Sequence, residues 1–156
     1  MDSLQGLLLD SHPNDKYENT LCKLQALSML VYHPLEHYSW VGYEAPGSLP
    51  SGRVDWAMRS SCWMWLAWIG LQLLRYRHHW AQLERVKRSA DAKKQDLADV
   101  ASKQRDICWS VAVLLTDSVL GFHWALKGGI GLKEHHIGIL GLFGALVGGW
   151  QRWKRL

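Results

Sequence analysis

Cysteine is scarce in this chain of 156 residues, and the amino end lacks the features of an export signal. The three cysteines stand far apart, are odd in number and form no C-x-x-C pair, which argues against a disulfide framework. The first residues carry no basic cluster and only the short apolar run GLLL before the next acidic residue, unlike a secretory signal. These absences argue against a small disulfide-bonded secreted protein.

Glycine and proline are missing from residues 75–105, and aromatic residues are rare there. This stretch holds nine Lys and Arg against four Asp and Glu. Without helix breakers it predicts one helix or a pair of helices, with a disordered middle as the alternative. Only Tyr76 and Trp80, both near its start, are aromatic, so the stretch does not favour nucleic acid as a partner. We expect this basic helical linker to lie on anionic lipid headgroups.

Tryptophan is abundant, with ten residues, which fits an aromatic belt at a membrane interface or a tryptophan-rich soluble core. Apolar helices are predicted at about 54–74, 107–126 and 137–153, and the first of these could also be a buried helix of a soluble protein. Before them, apolar periodicity predicts a helix over 19–31, and clustered proline and glycine predict a loop over 43–53. The predicted fold is all-α, an integral membrane helical protein with two or three apolar helices.

Two polar side chains and a set of glycines lie within the later apolar segments. Asp117 would either line a proton or ion path or accept hydrogen bonds from a neighbouring helix, and we expect the second role; His123 is the other intramembrane polar residue. Small residues spaced four apart allow two helices to approach closely in lipid. The residues predicted for such packing, against the 107–126 helix or another chain, are Gly141, Gly144 and Gly148.

Residues 33–37 read HPLEH, which matches the H-x-x-E-H pattern of one class of zinc peptidases. On a helix, His33 and His37 would share one face with Glu36 beside them. Pro34 is expected to break the helix or start a new one, and to hold His33 in an extended conformation away from that face. Acids able to supply a further ligand are also few downstream. The sequence therefore predicts no metal, no catalytic residue and no cofactor.

With its flanks, LVYHPLEHYSWVG resembles the Y-Y-P-x-E-H-x-x-W signature of the peroxin-11 family of peroxisomal membrane proteins. His33 replaces the second tyrosine of that signature, which suggests that the position requires an aromatic ring rather than a metal ligand. The residues that match the signature are Tyr32, Pro34, Glu36, His37 and Trp40.

A second stretch is similar to the same family. The segment DICWSVAVLLTDSVLGFHWAL resembles the family's late helix with its L-x-x-D-x-x-x-x-x-H-W pattern, carried by Leu114, Asp117, His123 and Trp124. The glycine-rich turn and last apolar segment that follow resemble the gamma type. The resemblance covers roughly residues 20–152.

The resemblance implies a multi-pass protein of the peroxisomal membrane that promotes elongation, proliferation and fission of peroxisomes without catalysis, through helix insertion and self-association. The implied partners are anionic membrane lipids, further copies of the chain or other peroxin-11 family members, and the fission machinery, but no nucleic acid. A peroxisomal pore or small-solute channel, lined by Asp117 and His123, is the alternative.

The resemblance also implies a domain organisation. Residues 1–18 are predicted to be a poorly ordered amino terminus, and residues 19–156 are predicted to form the peroxin-11-like membrane domain. Family members carry about a further third of chain before the signature, including an amphipathic helix, so the resemblance implies either a shortened form or an incomplete chain.

Overall fold

The computed structural model describes residues 15–88 and 94–153, apart from the side chains of residues 94–96 and 152. Within these two ranges every regular element is an α-helix, which confirms the predicted all-α class. Of the predicted disordered amino terminus, residues 1–14 lie outside the described residues. The helices are α1 (Lys16–Glu44), α2 (Ser51–Arg88), α3 (Lys94–Ala125) and α4 (Glu134–Trp153).

The chain divides into two compact units, and each combines segments that are distant in the sequence. The first unit comprises Met1–Gln72 and Gly121–Leu132, and the second comprises Leu73–Leu120 and Lys133–Leu156. The first unit therefore contains α1, the beginning of α2 and the end of α3. The second contains the end of α2, most of α3 and α4.

Helix α1 begins before the predicted position at Asn19 because a side chain caps its first turn. The carboxylate of Asp15 accepts hydrogen bonds from the backbone N–H groups of Tyr17 at 3.0 Å and Glu18 at 3.2 Å. A cap of this kind satisfies amide groups that the first helical turn leaves without partners. Residues 15–18 of the predicted disordered terminus are therefore the cap and first turn of α1.

Proline at position 34 lies inside α1, so the prediction that it breaks the helix or starts a new one is wrong. Proline removes one backbone hydrogen bond from a helix interior and crowds the preceding turn. Contacts on both sides of Pro34 hold α1 against α2: the Ser28 hydroxyl donates to the carbonyl of Met64 at 2.5 Å, and Ser39 contacts the Met58 sulfur at 3.7 Å. Packing of the two helices thus outweighs the local preference of proline.

The connection between α1 and α2 is shorter than the predicted loop over 43–53. Helix α1 continues to Glu44 and α2 begins at Ser51, so both ends of the predicted loop are helical. The carbonyl of Pro50 accepts the N–H of Arg53 at 2.9 Å, which starts the first turn of α2. Proline just before a helix leaves no N–H group there to satisfy.

The predicted basic linker over 75–105 belongs to two long helices. Its first part forms the end of α2 up to Arg88, and its last part forms the beginning of α3 from Lys94. The possible disordered middle, residues 89–93, lies outside the described residues. The absence of glycine and proline explains why both helices extend so far into the charged stretch.

Each predicted apolar segment lies within one of these helices, although α3 ends at Ala125, one residue before the predicted limit. In the part of the chain that the structure describes, one helix is long and apolar enough to cross a membrane, over Leu97–Ala125. That range contains nearly all of the predicted 107–126 segment. The predicted 54–74 and 137–153 segments are helical, but their helices do not combine the length and the apolarity that a membrane crossing requires.

Candidate membrane-contact surface

The face of α1 that packs inside the first unit is rich in polar side chains. Glu18 is 1% exposed and Gln25 is 0% exposed, and Ser28 and Ser39 are also buried. At 100° per residue these four positions lie within about 80° of one another around the helix. The sequence signal is the recurrence of four polar residues on one side of the helix, which Leu21 and Cys22 share, and reasoning from the apolar stripe missed it.

Two of these polar side chains connect α1 to α2. The Gln25 amide donates to the side-chain oxygen of Gln72 at 2.7 Å and lies 3.5 Å from the carbonyl oxygen of Trp68. The Ser28 hydroxyl donates to the carbonyl of Met64 at 2.5 Å. Hydrogen bonds between buried polar groups offset the cost of removing those groups from water.

The opposite side of α1 carries apolar side chains on the surface. Leu30 is 69% exposed, and Leu24, Leu27 and Val31 are exposed as well, with the charged Lys23 on the same side. A helix pair that folds in water buries its apolar residues and exposes its polar ones. Along α1, four of the six buried residues are polar, and Leu21 and Cys22 are the other two. A polar inner face with leucines exposed outside it is the pattern expected of a helix that contacts lipid.

The signature residues of α1 make local contacts near the end of that helix. The Tyr32 hydroxyl donates to one carboxylate oxygen of Glu36, and burial together with the Glu36 charge raises the pKa of Tyr32 above its usual value. The Nδ1 atom of His37 lies 2.6 Å from the carbonyl oxygen of His33. Tyr32, Glu36 and His37 are thus brought together, whereas Trp40 points away as an exposed ring.

Because Pro34 does not interrupt α1, His33 and His37 lie on the same face of the helix. Their ring centroids are 6.2 Å apart. The prediction that Pro34 takes His33 off this face is therefore wrong. Glu36 lies between them along the chain, and its Oε2 atom is 3.9 Å from the Nδ1 atom of His33.

In the second unit, Asp117 of α3 faces Gly144 of α4. A Cβ atom at Gly144 would lie 3.6 Å from the Oδ1 atom of Asp117, whereas a Cβ atom at Gly141 or Gly148 would meet nothing within 4 Å. Of the three glycines predicted to pack helices, Gly144 therefore contacts the 107–126 segment. The other two leave open surface on α4.

His123 has a role that the sequence did not reveal. Its Nδ1 atom accepts the backbone N–H of Ile130 at 3.2 Å, and its ring lies against Gly129, which has a positive φ of 68°. The side chain thereby fixes the glycine-rich turn after α3. On that helix, Asp117 and His123 point in directions about 120° apart.

Aromatic contacts join α2 to the end of α3 in the first unit. Trp65 stacks on Trp124 with ring centroids 6.4 Å apart, and Trp63 meets Phe122 edge-on at 5.9 Å. Gly121 permits this approach, because a Cβ atom there would lie 2.8 Å from the Leu66 side chain. Sequence reasoning missed these pairs because they join segments nearly 60 residues apart.

The basic stretch is partly neutralised within the second unit. Glu84 lies 3.9 Å from the nitrogens of both Lys87 and Arg88 and accepts a 2.8 Å hydrogen bond from Gln104 of α3. Arg75 is buried, unlike a residue that lies on headgroups. Lys87 and Arg88 remain exposed beside Glu84 and keep positive charge at the surface.

Helix α4 presents a long apolar stripe on the surface of the second unit. The stripe follows helical spacing of three and four residues, which places its members on one side. It consists of the exposed side chains Ile139, Leu142, Leu146, Trp150 and Trp153. An apolar stripe of this length has the character of a lipid or protein contact surface.

A family model described as Peroxisomal biogenesis factor 11 (PEX11) matches residues 1–153 of the chain. The match extends beyond the predicted range of 20–152 at the amino end and covers nearly the whole sequence. Comparison with curated proteins and with solved structures gave no match.

Proposed function

The chain belongs to the peroxisomal biogenesis factor 11 family, as its resemblance predicted, and we propose that it is a multi-pass membrane protein that elongates and divides peroxisomes without catalysis. Membership itself implies a role in peroxisome biogenesis and proliferation at the peroxisomal membrane. The mechanism, the number of crossings and the gamma subtype are our proposals.

The observation that carries the proposal is the row of exposed leucines on α1, outside a buried face on which four of six residues are polar. Its buried face contains Gln25 and Ser28, hydrogen-bonded to α2, while Leu27 and Leu30 face outward. Exposure of leucine to water is unfavourable by about 25 cal/mol for each Å² of apolar surface, and lipid contact removes that cost. We infer that α1 and the beginning of α2 form a hairpin that inserts its apolar side into the membrane.

Helices α3 and α4 supply the proposed second membrane element. The range Leu97–Ala125 is long enough to span the hydrocarbon core, and Gly144 allows α4 to lie close to Asp117 of α3. Pairing with α4 gives the aspartate a protein neighbour instead of a purely lipid one. This packing supports an anchor of two apolar helices, and a hairpin of this kind would occupy area in the bilayer and favour curvature.

Self-association and lipid binding complete the proposed mechanism. The open positions Gly141 and Gly148 and the exposed apolar stripe of α4 support contact with a second copy or another family member. The exposed side chains of Lys87 and Arg88 support contact with anionic headgroups. Recruitment of the fission machinery is proposed from family membership alone.

The experiment is expression of the fluorescently tagged full chain in cultured cells, with peroxisome number and length measured by microscopy. We expect the tag on peroxisomes, resistance to carbonate extraction, and longer or more numerous organelles. The double variant Leu27→Gln/Leu30→Gln makes the outer side of α1 polar and should weaken elongation. Lys23→Gln is the matched control, because Lys23 is exposed on the same side of α1 but is already polar.

A diffuse cytosolic signal with unchanged peroxisomes would reject the proposed function. Normal elongation by Leu27→Gln/Leu30→Gln would reject insertion through α1. If the wild-type chain and Lys23→Gln elongate peroxisomes and the double leucine variant does not, both the proposed function and insertion through α1 are supported.

A further inference from the structure

Three potential metal ligands lie together on the surface of α1. The ligand atoms of His33, Glu36 and His37 are all within 4.8 Å of one another. Among the residues that the structure describes, these form the one group of three or more His, Cys, Asp or Glu side chains with this proximity. The grouping exists because α1 runs through Pro34 without interruption, which places positions 33, 36 and 37 on adjoining parts of one face.

The hydrogen bonds around the group leave metal-binding atoms available. The carbonyl oxygen of His33 can only accept, so the Nδ1 atom of His37, 2.6 Å away, carries the proton. A neutral His37 ring then has its lone pair on Nε2, and a backbone carbonyl that fixes the other ring nitrogen is the usual support for a metal-binding histidine.

Glu36 is held in a comparable way. The hydroxyl of Tyr32 donates to its Oε1 atom, while its Oε2 atom lies 3.9 Å from the Nδ1 atom of His33. Two ligands of a tetrahedral zinc ion, with bonds of about 2.0–2.2 Å, are about 3.4 Å apart. A small rotation of two exposed side chains would therefore bring Glu36 and His33 to coordination distance.

We propose that His33, Glu36 and His37 bind one Zn²⁺ ion on the surface of α1. Two imidazoles and one carboxylate are a donor set that zinc accepts, and water can take the fourth position because the side chains of His33 and Glu36 are well exposed. Zinc binding of this kind is a property of the folded helix and does not depend on the proposed membrane role.

The site depends on a residue that distinguishes this chain from the family signature. The signature has tyrosine where the chain has His33, so His33→Tyr restores the family residue, keeps an aromatic ring and removes one ligand. Because the His33 side chain is exposed and tyrosine keeps a ring there, the substitution separates loss of zinc from loss of folding. His37→Ala and Glu36→Gln remove the other two ligands.

The test uses the purified full chain in detergent micelles, with Zn²⁺ titrated in competition with a chromogenic chelator. We expect one saturable ion per chain, with affinity reduced about tenfold or more in His33→Tyr, Glu36→Gln and His37→Ala. The double variant His135→Ala/His136→Ala removes another adjacent histidine pair, whose rings are 4.0 Å apart, and should bind as the wild type does. Circular dichroism checks that each variant keeps its helical content.

Co²⁺ provides a second readout, because a tetrahedral site with nitrogen and oxygen ligands gives a visible absorption that His33→Tyr should abolish. Absence of saturable zinc binding in the wild type would overturn the proposal. Unchanged affinity in the folded His33→Tyr and His37→Ala variants would overturn it as well, and so would an equal loss in the His135→Ala/His136→Ala control. Peroxisome elongation by a His33→Tyr chain that no longer binds zinc would show that the site and the proposed membrane function are separate.

Discussion

The carboxylate of Asp117 on α3 faces the backbone of Gly144 on α4, where a Cβ atom would lie 3.6 Å from Oδ1. An aspartate within an apolar helix therefore lies opposite a position that has no side chain. The absence of a side chain gives the carboxylate space and lets the two helices pack closely. Both residues belong to the second unit, so this contact is part of its internal packing.

Replacement of Gly144 by leucine should destabilise the packing of α3 against α4. A Cβ atom alone would make an ordinary contact with Asp117, so Gly144→Ala should be tolerated, but the longer side chain would displace the carboxylate. We expect a loss of about 1–3 kcal/mol in the free energy of unfolding for Gly144→Leu. Thermal unfolding in detergent micelles, followed by circular dichroism, measures the change.

Gly141→Leu is the matched control, because nothing lies within 4 Å of a Cβ atom at that position. It should leave the unfolding temperature of the monomer unchanged or raise it slightly, because leucine favours a helix more than glycine does. If Gly141→Leu and Gly144→Leu lower the unfolding temperature equally, the specific contact with Asp117 does not stabilise the second unit.

Gly42 allows the closest approach of α1 to α2. A Cβ atom there would overlap the Val54 side chain, with the Cγ1 atom only 2.9 Å away. Gly42→Ala should therefore destabilise the first unit by about 1–3 kcal/mol despite the higher helix propensity of alanine. Thermal unfolding of the single and double variants measures this, because Gly42→Ala/Val54→Ala should recover part of the loss.

Gly52→Ala provides the control for helix propensity, since a Cβ atom at Gly52 meets nothing within 4 Å. It should be neutral or slightly stabilising. A neutral Gly42→Ala, or a double variant whose loss equals the sum of the losses in Gly42→Ala and Val54→Ala, would show that steric overlap with Val54 does not limit this position.

The buried amide of Gln25 should matter more to stability than the exposed leucines beside it. Gln25→Ala removes a 2.7 Å hydrogen bond to Gln72 and opens a space in the α1–α2 interface. We expect a loss of about 1–3 kcal/mol, measured by thermal unfolding in micelles. Lys23→Ala, at an exposed position two residues earlier, should have little effect, and equal losses in the two variants would contradict a polar interface.

Periodicity and composition were sufficient to predict the helical segments but not their partners. The absence of glycine and proline from 75–105 correctly indicated helix over the described parts, 75–88 and 94–105, and the family signatures around Glu36 and Asp117 correctly indicated the family. Pro34 was misinterpreted because local preference favours a break, whereas hydrogen bonds to residues 36 positions away stabilise α1. Such contacts depend on how the chain folds back, which no local pattern contains.

Polar residues were the harder part of the prediction. Gln25 and Ser28 are found on the buried side, although a rule for proteins in water would place them outside. His123 holds a turn through Ile130, seven residues later. In each case the side chain is explained by the group to which it hydrogen-bonds, and only the folded chain brings that group near.

Alkaline conditions should reveal the contact between Tyr32 and Glu36. Burial, followed by the hydrogen bond and charge of Glu36, raises the pKa of Tyr32 above its ordinary value of 10.0. The folded state therefore holds the phenol proton more tightly than the unfolded state, so the stabilisation is complete below pH about 10 and is lost as pH rises through the folded-state value. Titration by tyrosinate absorbance should show a late-ionising group that Tyr32→Phe removes and Glu36→Gln shifts to lower pH. If the late titration phase persists in Tyr32→Phe, it belongs to another tyrosine. If its pH midpoint is the same in Glu36→Gln as in the wild type, burial alone raises the pKa of Tyr32.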